Sequence, residues 1–175
     1  QTEGSQACSP GPSGQPTSRG IVTLPTAHSV AVLRRAWYQY GEETAGKPRM
    51  ANPRVYVETS VISYLAALPS RDLVVAAHQQ VTRDWWSSRT RFDLFVSDAV
   101  LQEVERGDGA AAARRLAALD GIPVLSATLS AQALTREFLR AAAMPSTAAI
   151  DAVHVAIAAT HGVDFLITWN CMHIA

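Results

Sequence analysis

Arg54-Val-Tyr-Val-Glu58-Thr-Ser60 is the stretch on which the fold turns. Val55 to Val57 is β-branched and aromatic with no polar alternation, and it stops at a carboxylate. A strand buried on both faces of a parallel sheet reads this way, whereas a half-exposed strand alternates. Working outward, the pattern recurs. Phe92 to Val96 reads as a second strand ending at Ser97-Asp98, Pro123-Val-Leu125 as a short third, and Phe165 to Thr168 as a fourth ending at Trp169-Asn170. Helical patterns separate them. Leu73 to Trp86 places Val74, Ala77, His78, Val81 and Trp85 on one stripe, and Asp98 to Arg106 ends at Gly107. Ala110 to Leu119 ends at Gly121, Ser130 to Ala143 stops before Pro145, and Ala148 to His161 is apolar nearly all round and closes on Gly162. Strands alternating with helices imply an α/β fold whose central parallel sheet is covered on both faces.

The chain has 175 residues, 48% of them hydrophobic, which is one domain with chain to spare and excludes disorder throughout. Fifteen basic residues balance fifteen acidic ones. Net neutrality excludes a protein that binds nucleic acid through an overall positive charge, so any polyanion must be met by a local arrangement. Only Lys47 among the basic residues is a lysine; the rest are arginines, whose planar fork suits carboxylates and phosphates. Cys8 and Cys171 form neither a metal-spaced nor a disulfide pattern. No apolar run reaches the roughly 18 residues of a membrane span, and no signal peptide opens the chain, so a soluble cytoplasmic protein is expected.

Thirteen of the first twenty residues are Gly, Pro, Ser or Thr. Val30 to Tyr40 reads as a short helix stopped by Gly41, and Met50 directly precedes the first strong strand. Residues 1–49 are therefore expected to be a flexible or appended N-terminal segment, and residues 50–175 the domain. The competing reading makes the segment a partner-binding arm using Trp37 and Tyr38. Residues 1–49 hold three acids and five bases, which leaves twelve acids, ten bases and a net charge of −2 in residues 50–175.

In an open parallel sheet, ligands collect outside the carboxyl ends of the strands. Three strand ends deliver polar oxygen groups to that edge: Glu58, Ser97 with Asp98, and Asn170. A carboxylate that ends a buried strand is costly unless paired, hydrogen-bonded or bound to a cation. Glu58 either does one of these things for function or bonds the backbone opening the next helix. Asp151 lies in the first turn of an otherwise apolar helix, where the helix N-terminus favours its ionised form. His154 follows one turn later and either contacts substrate or is hydrogen-bonded at the core's edge. Glu103 and Glu105 flank the apolar stripe of the helix begun by Asp98, and periodicity does not choose between them. Asp98 itself reads as a cap or first-turn charge. There is no P-loop, G-x-G-x-x-G, G-x-S-x-G or zinc-spaced Cys/His cluster. What remains is an all-oxygen set, which suits hard cations such as Mg²⁺ or Mn²⁺.

Four segments, in order, carry a family likeness: Val55-Tyr-Val-Glu-Thr-Ser-Val-Ile-Ser-Tyr-Leu65, Val96-Ser-Asp-Ala-Val-Leu-Gln-Glu-Val-Glu-Arg-Gly107, Ala149-Ile-Asp-Ala-Val-His-Val-Ala-Ile-Ala158 and Gly162-Val-Asp-Phe-Leu-Ile-Thr-Trp-Asn170. Together they resemble a PIN domain of the VapC-like type across residues 50–175. The resemblance implies a three-layer α/β/α fold and a metal-dependent endoribonuclease, often the toxin of a type II toxin-antitoxin pair. It places Glu58 on the family's first-strand aspartate, Thr59 and Ser60 on the hydroxyl positions beside it, Glu103 on the helix glutamate and Asp151 on the central aspartate. Asn170 stands where the family has a fourth acid. The family continues with a further strand and helix beyond His173-Ile-Ala175, so the domain is expected to lack its C-terminal edge strand and last helix.

On this resemblance the expected machinery is Glu58, Glu103 and Asp151 holding Mg²⁺ or Mn²⁺, assisted by Asn170, with single-stranded RNA as substrate. Expected partners are a cognate antitoxin and a second copy of the chain, and no membrane. Arg54, Arg71, Arg83, Arg89 and Arg91 are candidate phosphate contacts or members of a solvated face. Trp85 and Trp86 either stack bases or pack in the core. The alternative function is a catalytically impaired PIN-fold module that binds RNA or an antitoxin. A phosphatase with an aspartyl nucleophile would need Asp-x-Asp where this chain has Glu58-Thr59-Ser60.

Overall fold

A computed structural model describes residues 20–23, 51–141 and 148–170. Its elements run β1 (Gly20–Thr23), β2 (Arg54–Val57), α1 (Thr59–Ala66), α2 (Leu73–Ser87), a 3₁₀ turn (Arg89–Arg91), β3 (Asp93–Ser97), α3 (Asp98–Val104), α4 (Gly109–Ala118), β4 (Val124–Leu125), α5 (Leu129–Arg140), α6 (Ala149–Thr160) and β5 (Phe165–Thr168). The sheet order is β1-β5-β2-β3-β4 and every pairing is parallel. This is the α/β class with a central parallel sheet expected from the sequence.

The middle strands are apolar runs because they have neighbours on both edges and helices above and below. Val55, Tyr56 and Val57 of β2 and Leu166 and Ile167 of β5 are all buried. They meet Val61 and Ile62 of α1, Val100 and Val104 of α3, and Ala156 and Ile157 of α6 in one core. Because the strands are parallel, β2, β3 and β5 all finish at the same edge. The β2–β5 register pairs Val57 with Ile167, and Glu58 N–H extends that ladder to Ile167 O at 3.1 Å. Glu58 is thereby fixed directly beside Thr168.

Several expectations shift. The expected α2 stripe is rotated: Val74 is 64% exposed, and the buried positions are Gln79 and Thr82. Two polar residues occupy the inner face because each has partners there. Gln79 accepts from Ser70 N–H and donates to Leu68 O, while Thr82 donates to His78 O and accepts from Trp169 Nε1. Strand β1 was not expected from the sequence, and helix α1 was anticipated only as the helix that Glu58 would open, without bounds. β1 lies inside the segment read as a leader and pairs along β5, Gly20 with Phe165 through Thr23 with Thr168. Val30 to Tyr40, Met50 and Pro145 lie outside the described residues. No helix among the described residues is long and apolar enough to cross a membrane.

Candidate active site

Glu58 caps α1 from the end of β2. Its Oε2 accepts from Ser60 N–H at 3.0 Å, from the Ser60 hydroxyl and from the Thr168 hydroxyl at 2.8 Å. The helix-opening reading of Glu58 is thus realised, and it uses one oxygen only. Among the described residues Oε1 accepts no hydrogen bond. The side chain is 5% exposed.

Glu103 repeats the arrangement from α3. Its Oε2 accepts from Thr59 Oγ1 at 2.5 Å and from His154 Nε2 at 3.0 Å, while Oε1 has no partner among the described residues. Burial raises the pKa of this carboxyl, but the hydrogen bonds from His154 and Thr59 outweigh it and hold the group below the ordinary carboxylate range. Glu105, the residue that periodicity could not separate from Glu103, sits exposed at the C-cap of α3.

Asp151, in the first turn of α6, is 6% exposed. Its Oδ1 accepts from Asn170 Nδ2 at 2.6 Å, and Oδ2 has no partner among the described residues. Asn170 is itself tied back, its backbone N–H donating to Thr168 Oγ1 at 2.8 Å. Asn170 therefore supplies a donor that aims Asp151, where a fourth acid would have supplied a charge.

Among the described residues the group able to surround one cation is Glu58, Glu103 and His154, whose ligand atoms lie within 4.8 Å of one another. The structure brings Glu58 and Glu103 together as expected. It joins Asp151 to Asn170 and keeps Asp151 outside that group. His154 is fully buried, with Nδ1 2.7 Å from Tyr56 Oη. Tyr56 Oη is also 2.6 Å from Ser97 Oγ, which caps α3 by accepting from Val100 N–H at 3.3 Å. Tyr56 escaped the sequence reading, and Ser97 was read only as a polar oxygen at the strand edge. The available signal was a tyrosine inside a wholly buried strand, since a buried phenol needs a partner.

Other candidates resolve simply. Asp98 lies in the first turn of α3, and its Oδ2 accepts from Ala127 N–H at 3.2 Å. Arg54 is engaged at the far end of β2, donating to His161 O and Gly162 O, so it makes no phosphate contact at the carboxyl edge. Trp85 and Trp86 pack on the core, Trp85 stacking on Phe92.

A family model described as PIN domain matches residues 55–170, from β2 through Asn170. No curated protein matches the sequence. Among solved structures the fold is similar to the crystal structure of Mycobacterium tuberculosis VapC20, a sarcin-ricin loop cleaving toxin. The two share 22% identity at a TM-score of 0.50, over 64% of this chain and 86% of that one. The likeness is one of fold.

Proposed function

The chain belongs to the PIN-domain family, a family of nucleases, and on that premise we propose that it is a metal-dependent endoribonuclease. In this reading it hydrolyses phosphodiester bonds of single-stranded RNA, as the toxin of a type II toxin-antitoxin pair in the cytoplasm. One observation supports the reading most. Glu58, Glu103 and Asp151 each have one oxygen held by protein donors and a second that no described group engages. Asp72 and Asp108 show the same one-oxygen pattern as plain helix caps, so the weight falls on convergence: Glu58 and Glu103 bring ligand atoms within 4.8 Å of one another at the carboxyl ends of the strands.

The donor set fits a hard divalent cation, being carboxylate oxygen on rigid strand and helix ends. Glu58 and Glu103, which the structure brings together, would hold Mg²⁺ or Mn²⁺, and Asp151, which stands outside that group, would complete the set through its second oxygen. Such an ion supplies Lewis-acid polarisation of the scissile phosphate and a bound water of lowered pKa. The chain's own part is placement. Ser60 and Thr168 hold Glu58, Thr59 and His154 hold Glu103, and Asn170 holds Asp151. None of these residues is needed as a nucleophile. Leu68, Leu73 and Val74, exposed on the α1–α2 connection and the first turn of α2, offer apolar surface for an antitoxin or a second copy of the chain.

The test is cleavage of single-stranded RNA in Mn²⁺, with and without EDTA. Cleavage that needs the metal supports the enzyme. RNA bound but left intact in Mn²⁺ would favour a PIN-fold binding module instead.

A further inference from the structure

We infer that His154 is a positioning residue, locked by Tyr56 as the tautomer protonated at Nε2, which fixes Glu103 Oε2 and leaves Oε1 as the oxygen that would bind a cation. The inference rests on the reading of Glu103 as a metal-holding carboxylate.

A hydrogen-bonded chain leaves α3 at Val100 and returns to it at Glu103, and its two ends decide the tautomer. At one end the Val100 backbone N–H can only donate, and it donates to Ser97 Oγ. At the other the Glu103 carboxylate can only accept. Three groups lie between: Ser97 Oγ, Tyr56 Oη at 2.6 Å from it, and His154, with Nδ1 2.7 Å from Tyr56 and Nε2 3.0 Å from Glu103. An acceptor-only carboxylate requires the proton on Nε2. In the neutral ring Nδ1 then accepts, so Tyr56 donates to it, and Ser97 donates to Tyr56.

That assignment gives each of the three intervening groups both a donor and an acceptor. The alternatives do not. A proton on Nδ1 alone turns the Nε2 lone pair toward the carboxylate. A ring protonated at both nitrogens makes Tyr56 donate to Ser97, whose own hydroxyl proton is then left without a partner at a fully buried position. Burial also raises the Tyr56 phenol well above its ordinary pKa, which keeps its proton in the chain.

The consequence falls on Glu103. His154 and Thr59 both address Oε2, from α6 and from α1, and this fixes the carboxylate's rotation. A histidine whose two nitrogens are committed in this way holds the ligand in place and is not itself a ligand. Such supporting hydrogen bonds typically govern metal affinity by about 10–100-fold.

Proton-nitrogen correlation spectra of the labelled full chain read the tautomer directly. The expected result is a protonated Nε2 and a bare Nδ1 at His154; an Nδ1–H or doubly protonated ring would overturn the inference. Tyr56→Phe keeps the core's shape and removes the donor to Nδ1. It is expected to release the ring into a mixture of tautomers and to weaken Mn²⁺ binding, measured by calorimetry, by about 10–100-fold. A Tyr56→Phe protein that melts earlier but keeps the wild-type tautomer and Mn²⁺ affinity would assign the chain a structural role only and sink the proposal. If the unaltered protein binds no Mn²⁺, the carboxylate reading fails, and the spectra still decide the tautomer.

Discussion

At the scale of single residues, Asn170 exchanges a charge for a donor. Its amide holds Asp151 Oδ1 at 2.6 Å, and an aspartate there would set two carboxylates against each other at a distance where both ionise only at a cost. Asn170→Asp is therefore expected to melt earlier than the parent in EDTA and to recover in Mn²⁺; equal melting in EDTA would contradict the aiming role. Glu103 gives a pH signature. Its folded pKa is depressed, so the stability it contributes is fully present above the ordinary carboxylate range and is lost as pH falls through the lower folded value. The stability difference between wild type and Glu103→Gln, followed by urea unfolding, should shrink across that acid window; a difference independent of pH would contradict the shift. Glu58 and Asp151 were legible because each is a lone carboxylate against an apolar run. The roles of Tyr56 and His154 were not, since their contact joins residues 98 positions apart.

At the scale of elements, ends are better determined than faces. Gly162 closes α6 with φ +62°, its N–H bonding Ala159 O while Val163 N–H bonds Ala158 O, so a side chain there would be strained. Arg54 reinforces the same end by donating to His161 O and Gly162 O from the start of β2. Arg54→Ala should cost roughly 1.5–3 kcal/mol in urea unfolding, the usual range for a hydrogen bond to a charged group. It should spare the cleavage rate of the folded fraction, because the contact lies at the opposite end of β2 from Glu58. A loss of rate without loss of stability would contradict that placement. Strands β2 and β5 were legible as uninterrupted apolar runs between clear breaks. The bounds of helix α1 were hidden because it opens on Thr59 and Ser60 directly after a strand, and the buried face of α2 was misread because Gln79 and Thr82 carry its inner contacts.

At the scale of the whole molecule, the edge strand on one side of the sheet comes from the N-terminal segment, residues Gly20–Thr23. Only Ile21 and Val22 are apolar in β1, set among Gly, Ser, Pro and Thr, so no periodicity could show it. Strand β1 is the neighbour of β5 on the side away from β2, and β5 leads to Asn170. A parallel strand left without that neighbour exposes a row of unpaired backbone groups. Removing residues 1–19 should leave the melting temperature unchanged, whereas removing residues 1–23 should lower it and produce concentration-dependent oligomers by light scattering; identical behaviour of the two would mean the pairing carries no weight. The proposal for the carboxyl edge is a single one, that Glu58, Glu103 and Asp151, each held by its neighbours, would hold a divalent cation for RNA cleavage. The most direct measurement compares the Mn²⁺-dependent cleavage rate of single-stranded RNA by wild type and by Asp151→Asn, a change that keeps the side chain's shape and removes its charge. The expected result is a loss of roughly a hundredfold or more, or about 2.7 kcal/mol of barrier, in a protein whose melting temperature in EDTA is preserved. Cleavage that continues at the wild-type rate would contradict the assignment of the site.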